Sequence, residues 1–425
     1  MSQQPQGALE VDAWMDAAGL DEPIKVGTLR RSAERRGDTV HFEYSDPWLK
    51  SVNDGFETFR LDPQLPLHPG AVYARAGADQ LTGAFQDASP DRWGRLLMDR
   101  REVLQAREEG RPKRNLRPWD YLMGVHDDSR MGALRLRTPE GFYLDSSELA
   151  CPPVTELREL EAIAIRIDRD DVQDTDENRK WVRRLIVGGG TMGGARPKAS
   201  VRDAGGRLLM AKFPSSDDRH DVGLWELITC RLAAAAGINM PPATAQRFSN
   251  LGSTFLVSRF DRTPTGRRAY ASAFTLLDVD DSENSSYLDL VEVIEHHAPA
   301  CRIGEELRQL FARVAFNILI GNRDDHLRNH GFLRAEGGWR MSPAFDVNPN
   351  PNRDSHVLSI DEDDPTPDTR LLLDSSAYYR LSKQDAAAIM EQVRAGVRSW
   401  KAEAKRVGAS GHDMGIMESV IDPDR

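Results

Sequence analysis

The chain has 425 residues, 40% of them hydrophobic and 29% charged, with a formal net charge of −11. That length and apolar content can bury a substantial core in two or three compact units, and the acidic balance argues against tight nucleic-acid binding by the chain alone, since phosphate contacts need clustered Lys and Arg. Three widely spaced cysteines, Cys151, Cys230 and Cys301, a start without an export signal and the lack of any run of roughly twenty apolar residues lead to the expectation of a cytoplasmic protein with no disulfide framework and no membrane association.

Along the chain, the first local feature is the Arg-rich stretch from Arg92 to Arg117, which contains Arg111-Pro-Lys-Arg. It reads as a solvated helix face, the alternative being a basic patch for DNA or an acidic surface. A hairpin-like run ends at Tyr143-Leu, and Cys151-Pro-Pro is placed at a domain boundary. The acidic stretch Asp168–Asp176 is expected to be an exposed connection.

Residues 188–200 read Gly-Gly-Gly-Thr-Met-Gly-Gly-Ala-Arg-Pro-Lys-Ala-Ser. Glycines let the backbone approach a polyphosphate and turn its amides toward the oxygens. Next, Leu208-Leu-Met-Ala-Lys-Phe-Pro is a short strand in which Lys212 is either a solvent-face residue or a phosphate ligand. Val222–Ala236 reads as a buried helix interrupted by Glu226, Thr229 and Arg231. A buried carboxylate needs a partner, so Glu226 is expected to pair with Lys212, with Arg231 or a capping role as the alternatives.

Leu307, Leu310, Phe311, Val314 and Ile318 recur at helical spacing, and Gly321 is suited to a left-handed C-terminal cap. The polar loop Asn322-Arg-Asp-Asp-His-Leu-Arg-Asn follows. The runs Gly331–Leu333 and Trp339–Met341 then form a hairpin around Ala335-Glu-Gly-Gly, and Asp346 lies just beyond. Asp324 and Asn329 stand at Asp-x-x-x-x-Asn spacing. A carboxylate that accepts the nucleophile's proton, an Asn metal ligand and a later metal-binding Asp, in that order, form the catalytic half of a protein-kinase-like site. Asp325 is the fallback for the base. Ser382 is expected to cap a last helix, Lys383–Arg406, with an apolar stripe of Ala386, Ile389, Met390, Val393 and Val397. The segment after Val407 is expected to fray.

Several separated blocks resemble the HipA family, the serine/threonine-kinase-like toxins of bacterial type II toxin–antitoxin modules. Gly193-Gly-Ala-Arg-Pro-Lys-Ala is similar to the family's nucleotide loop, and the Lys212 strand to its ATP-lysine segment. Val257-Ser-Arg-Phe-Asp-Arg resembles the segment joining the kinase subdomains, Asn322–Asn329 the catalytic loop, and Ala344-Phe-Asp-Val the metal-binding Asp. In the N-terminal part, Val26-Gly-Thr-Leu with Val40-His-Phe-Glu-Tyr-Ser-Asp-Pro-Trp-Leu looks like the opening hairpin, and Phe85-Gln-Asp-Ala-Ser-Pro-Asp-Arg-Trp-Gly-Arg like a helix-start motif.

The resemblance implies an α+β protein: an N-terminal mixed α/β domain over residues 20–150, then a two-subdomain kinase-like fold over residues 180–410. Its small subdomain would span about 180–262 and its mostly helical one about 265–410. It implies ATP and Mg2+ as cofactors, with Asp324 as catalytic base and Asn329 and Asp346 as metal ligands. The ATP-binding set would be Gly193, Gly194, Ala195, Arg196, Pro197, Lys198, Lys212, Ser258, Arg259, Phe260, His326, Arg328 and Phe345. Glu226 would be the structural ion-pair partner, and Thr191 the autophosphorylation position.

The implied partners are a HipB-like helix-turn-helix antitoxin, operator DNA mainly through that antitoxin, and a protein substrate such as an aminoacyl-tRNA synthetase. Two other readings compete with an active kinase. One is a catalytically weak kinase-fold corepressor that works by binding its antitoxin on DNA. The other is a metallohydrolase using His326 and His330 with Asp325, and His296 or His297 as a further ligand.

Overall fold

Alternation of buried and partly exposed residues makes Glu10–Met15 the strand β1, with Val11, Ala13 and Met15 facing inward. The protein is described here from a computed structural model that covers residues 9–34, 37–50, 52–53, 56–75, 81–144, 151–173, 175–189, 194–279, 281–282 and 284–425. It divides into two compact units, Met1–Ser215 with Asp261–Ala271, and Ser216–Phe260 with Ser272–Arg425. Thr191 and Gly193, expected to be a phosphorylation position and a nucleotide-loop residue, lie outside the described residues. Among the described residues, no helix is long and apolar enough to cross a membrane.

In the first unit β1 joins β2 (Ile24–Glu34), β3 (Gly37–Tyr44), β4 (Ala71–Tyr73) and β5 (Leu134–Arg137) in an antiparallel sheet of order β4-β3-β2-β1-β5. The register of β2 on β3 runs from Gly27↔Tyr44 to Glu34↔Gly37. The helix-start motif opens α1 (Arg92–Glu108), where the Asp91 side chain accepts from Gly94 N at 2.7 Å. Two further helices follow, α2 (Leu157–Asp168) and α3 (Asp176–Gly188), and then the hairpin of β6 (Lys198–Arg202) and β7 (Leu208–Lys212).

The Arg-rich stretch spends much of its charge inside this unit. Arg111 and Arg114 both bond the buried Glu102, Arg117 reaches Asp38 at 2.6 Å, and Arg100 pairs with Asp170.

The second unit is mostly helical. Its first helix, α4 (Val222–Ala235), is buried nearly all round and packs on the hairpin of β8 (Ala243–Arg247) and β9 (Ser253–Ser258). Leu227, Cys230 and Phe255 form the contact, with Met240, Ala243, Ala245 and Val257 around them. After α5 (Tyr287–His297) comes α6 (Ile303–Ile320), whose Leu307, Leu310, Phe311, Val314 and Ile318 are all buried. Each such side chain contributes roughly 1.5–3 kcal/mol by leaving water. Gly321 ends α6 at φ +67, and β10 (Gly331–Ala335) pairs with β11 (Gly338–Met341).

The C-terminal expectations need two corrections. Lys383–Arg406 is not one helix: α7 (Lys383–Arg398) and α8 (Trp400–Val407) meet at Ser399, whose hydroxyl donates to Gly396 O at 2.8 Å. The turn brings Trp400 into the core, 6.1 Å from Trp225 between ring centroids, and Glu403 onto Arg231 at 2.9 Å. The segment after Val407 does not fray either. It forms α9 (Gly411–Glu418), capped by Ser410. The Asp413 carboxylate accepts from Asp221 N at 3.1 Å, and Met417, Val420 and Ile421 are buried. Scattered Gly and Asp hid a short helix that has no apolar stripe of its own and is held in place by tertiary contacts.

Candidate active site

The loop after α6 holds two adjacent aspartates in opposite surroundings. The Asp324 side chain is 56% exposed and meets Arg353 Nε at 3.2 Å. The Asp325 side chain is 4% exposed. Its Oδ2 accepts from Tyr287 Oη at 2.8 Å, Asn317 Nδ2 at 2.7 Å and His330 Nε2 at 2.8 Å. Asn322 Nδ2 extends the chain to Asn317 Oδ1 at 3.0 Å.

Burial alone would raise the Asp325 carboxyl. The His330 ring and the Tyr287 hydroxyl reverse that and hold it below the ordinary carboxylate range. Tyr287 moves up, through burial first and the Asp325 charge second. Three donors thus converge on one oxygen of Asp325 and tie it to α5, α6 and the end of the loop, while the side chain of its neighbour Asp324 is exposed.

A single 3-10 turn, Leu327–Asn329, sets the second functional group. Asn329 is buried, and its Nδ2 donates to Asp324 O at 3.4 Å. That bond orients the carboxamide so that its oxygen is the end available to a hard cation. Asp346 follows β11 with φ +57, a left-handed conformation that costs a non-glycine residue about 1–3 kcal/mol. Flanking bonds hold it there: Ala344 N donates to Asn239 O at 2.9 Å, and Thr229 Oγ1 on α4 donates to Val347 O at 2.6 Å. Oxygen donors from Asn329 and Asp346 suit magnesium, which prefers a few protein oxygens together with phosphate oxygens.

Phe260 and Phe345 pack as a tilted pair, with ring centroids 5.3 Å apart and ring planes 35° apart. Ser258 ends β9, and Arg259 is buried. The Arg328 guanidinium lies 3.8 Å from the Phe274 ring centroid, and the buried His326 Nδ1 has no hydrogen-bond partner among the described residues. Behind the loop, Arg313 donates to Ser342 O at 2.6 Å, and complete burial lowers its guanidinium to about 10. Among the described residues no cluster of three His, Cys, Asp or Glu side chains is arranged for a metal ion. His330, one of the histidines of the metallohydrolase reading, is committed to Asp325.

In the first unit the described part of the glycine-rich loop is Gly194, Ala195, Arg196, Pro197 and Lys198. Gly194 and Ala195 are exposed, whereas Lys198 is buried: its Nζ meets Asp91 Oδ2 at 2.7 Å and Gly194 O at 3.3 Å. Lys212 ends β7, opposite Lys198 in the hairpin register. In the second unit Glu226 is buried on α4, and its alternative partner Arg231 is taken by Glu403.

Sequence reasoning missed the anchoring set of Tyr287, Asn317, Asn322 and His330. One signal was present: Asn317 interrupts the apolar face of α6, and a polar group in that position needs a partner.

In the second unit a helix, an acidic loop, a hairpin and a strained aspartate follow one another in the order of the catalytic half of a protein-kinase-like fold. Residues 190–400 match the HipA-like C-terminal domain, which places this part of the chain in the HipA family. Among solved structures the chain is similar to one from the Shewanella oneidensis MR-1 toxin–antitoxin complex of HipA, HipB and operator DNA. The TM-score is 0.60 at 16% identity, covering 96% of this chain and 94% of that one. The Helicobacter pylori proinflammatory kinase CtkA also matches, with a TM-score of 0.34 at 16% identity over 52% of this chain and 95% of that one. No curated protein matches the sequence.

Proposed function

We propose that the protein is an ATP- and magnesium-dependent serine/threonine protein kinase, the toxin of a toxin–antitoxin module. The observation that carries this reading is the division of labour in the loop after α6, where Asp325 is buried and bonded and Asp324 is presented to solvent on the same turn as Asn329.

In this reading Asp324 accepts the proton of a protein hydroxyl as that oxygen attacks the γ-phosphorus of ATP, and the bond to the β-phosphate oxygen breaks to release ADP. Magnesium held by Asn329 and Asp346 supplies charge neutralisation at the phosphates. Lys212 and the glycine-rich loop position the nucleotide, and Phe260 and Phe345 receive its base. The finer assignments belong to the same reading: a translation protein such as an aminoacyl-tRNA synthetase as substrate, and self-phosphorylation at Thr191. Likeness to a chain solved with HipB and operator DNA supports a HipB-like helix-turn-helix antitoxin as partner, with DNA reached mainly through it. The same likeness favours, as a second reading, a corepressor with weak catalysis.

The test is incubation with γ-labelled ATP and magnesium, wild type beside Asp324→Asn, followed by phosphosite mapping. Transfer should fall by about 10²–10⁴-fold in the variant while nucleotide binding persists. Wild-type transfer by Asp324→Asn would overturn the assignment of the base. Nucleotide binding without transfer in either protein would favour the corepressor.

A further inference from the structure

A buried ion pair ties the glycine-rich loop to the helix-start motif more than a hundred positions earlier in the chain. Lys198 and Asp91 have side chains only 4% and 6% exposed, with 2.7 Å between Nζ and Oδ2. The same short segment grips residue 198 a second time, through Trp93 Nε1 donating to Lys198 O at 2.9 Å. Asp91 is itself immobilised as the N-cap of α1.

The other foot of the loop is equally tight. A Cβ on Gly188, the last residue of α3, would lie 2.8 Å from Ser200 O, so only glycine lets the helix end this close to β6. Lys198 commits its ammonium to the loop's own structure, in a desolvated pair that leaves little of it exposed. It is held by a carboxylate and donates to Gly194 O within the loop.

We infer that Lys198 is an internal anchor of the nucleotide loop rather than a phosphate ligand, and that Asp91 is the positioning residue that acts through it. The inference rests on the kinase reading for its functional consequence, but the clamp itself does not. Removing either charge strands or deletes one half of the pair and loosens the peptide groups of residues 194–198, which the kinase reading places around the phosphates. Affinity for nucleotide then falls, whereas the chemical step, carried by the loop after α6, is spared. The opposite role for Lys198 gives the opposite sign: if it were a phosphate ligand sequestered by Asp91, freeing it would strengthen binding.

The experiment measures MgATP affinity of the full-length chain by calorimetry for wild type, Asp91→Asn, Lys198→Met and the double variant, with KM and kcat where transfer is seen. Asparagine caps a helix as well as aspartate, so Asp91→Asn removes the charge and keeps the cap. Both single variants should bind about tenfold more weakly, and the double variant no worse than either, because the two residues act as one unit. KM for ATP should rise with kcat within about twofold. Unchanged or tighter binding by Asp91→Asn, with weaker binding by Lys198→Met, would overturn the inference. So would additive losses in the double variant.

Should Asp91→Asn fail to fold, hydrogen exchange at residues 194–200 in Lys198→Met carries the test: loss of an anchor speeds exchange in the ligand-free protein, whereas loss of a phosphate ligand leaves it unchanged and would overturn the inference. Hydrogen exchange at residues 194–200 separates this inference from the kinase reading. If wild type binds no nucleotide, the kinase reading fails. Faster exchange in the variants would then still uphold the clamp, and unchanged exchange would refute it.

Discussion

Asp91 in the first unit and Asp325 in the second are both buried, and both fix a loop to which the proposed chemistry is assigned, yet their proton affinities move in opposite directions. Burial raises Asp91, and the neighbouring Lys198 and the backbone donors of its cap offset only part of that. Burial opposes Asp325 as well, but the His330 ring and a concentrated set of hydrogen bonds on one oxygen outweigh it. Donor supply, more than depth, decides whether a buried carboxylate is at ease. The loop after α6 is thus anchored by a satisfied hydrogen-bond network, and the foot of the glycine-rich loop by an ion pair whose desolvation consumes much of its attraction.

The comparison yields predictions of decreasing size. Asp325→Ala should cost about 3–5 kcal/mol in urea unfolding of the second unit's transition, because Tyr287, Asn317 and His330 lose their shared acceptor while buried. Asp91→Ala should cost less, and the reverse order would break the comparison.

Next comes acid sensitivity. His356 is buried with both ring nitrogens unpartnered among the described residues, its ring 6.3 Å from that of Tyr287, and burial lowers its pKa from 6.5 to about 4. A base with a depressed folded pKa binds its proton more readily when unfolded, so stability rises with pH across that window. Stability is fully present above about pH 6.5 and is lost as pH falls toward 4, by on the order of 3 kcal/mol. A His356→Gln variant should show a flatter acid limb in a pH series of melting curves, and an unchanged limb would assign the sensitivity elsewhere.

A smaller effect is expected from Gly321→Ala. The new Cβ would sit 2.4 Å from Val420 Cγ1 and force alanine into φ +67, lowering stability by about 2 kcal/mol. The smallest concerns the exposed neighbour. Arg353→Ala removes a half-exposed pair with Asp324 and should change the unfolding free energy by less than about 0.5 kcal/mol. A larger loss would mean that Asp324, like Asp325, is part of the loop's support.

Much of the second unit was legible along the chain. The periodic apolar residues of α6, the Gly321 stop and the β10–β11 hairpin are local features, because helix and turn geometry relate residues a few positions apart. The order Asp324, Asn329, Asp346 is local in the same sense. The break at Ser399 and the helix α9 were not, because Trp400 and Asp413 are drawn in by Trp225 and Asp221, far earlier in the chain.

The sequence by itself determined which residue types were available for phosphoryl transfer, in what order, and on which short elements they would ride. Only the tertiary structure decided which of two adjacent aspartates is buried, since Asp325 is chosen by Tyr287 on α5 and Asn317 on α6. It likewise decided that Lys198 faces Asp91. The physical reason is common to both: a buried charge is tolerated only where distant segments deliver its partners, and no local pattern encodes that delivery.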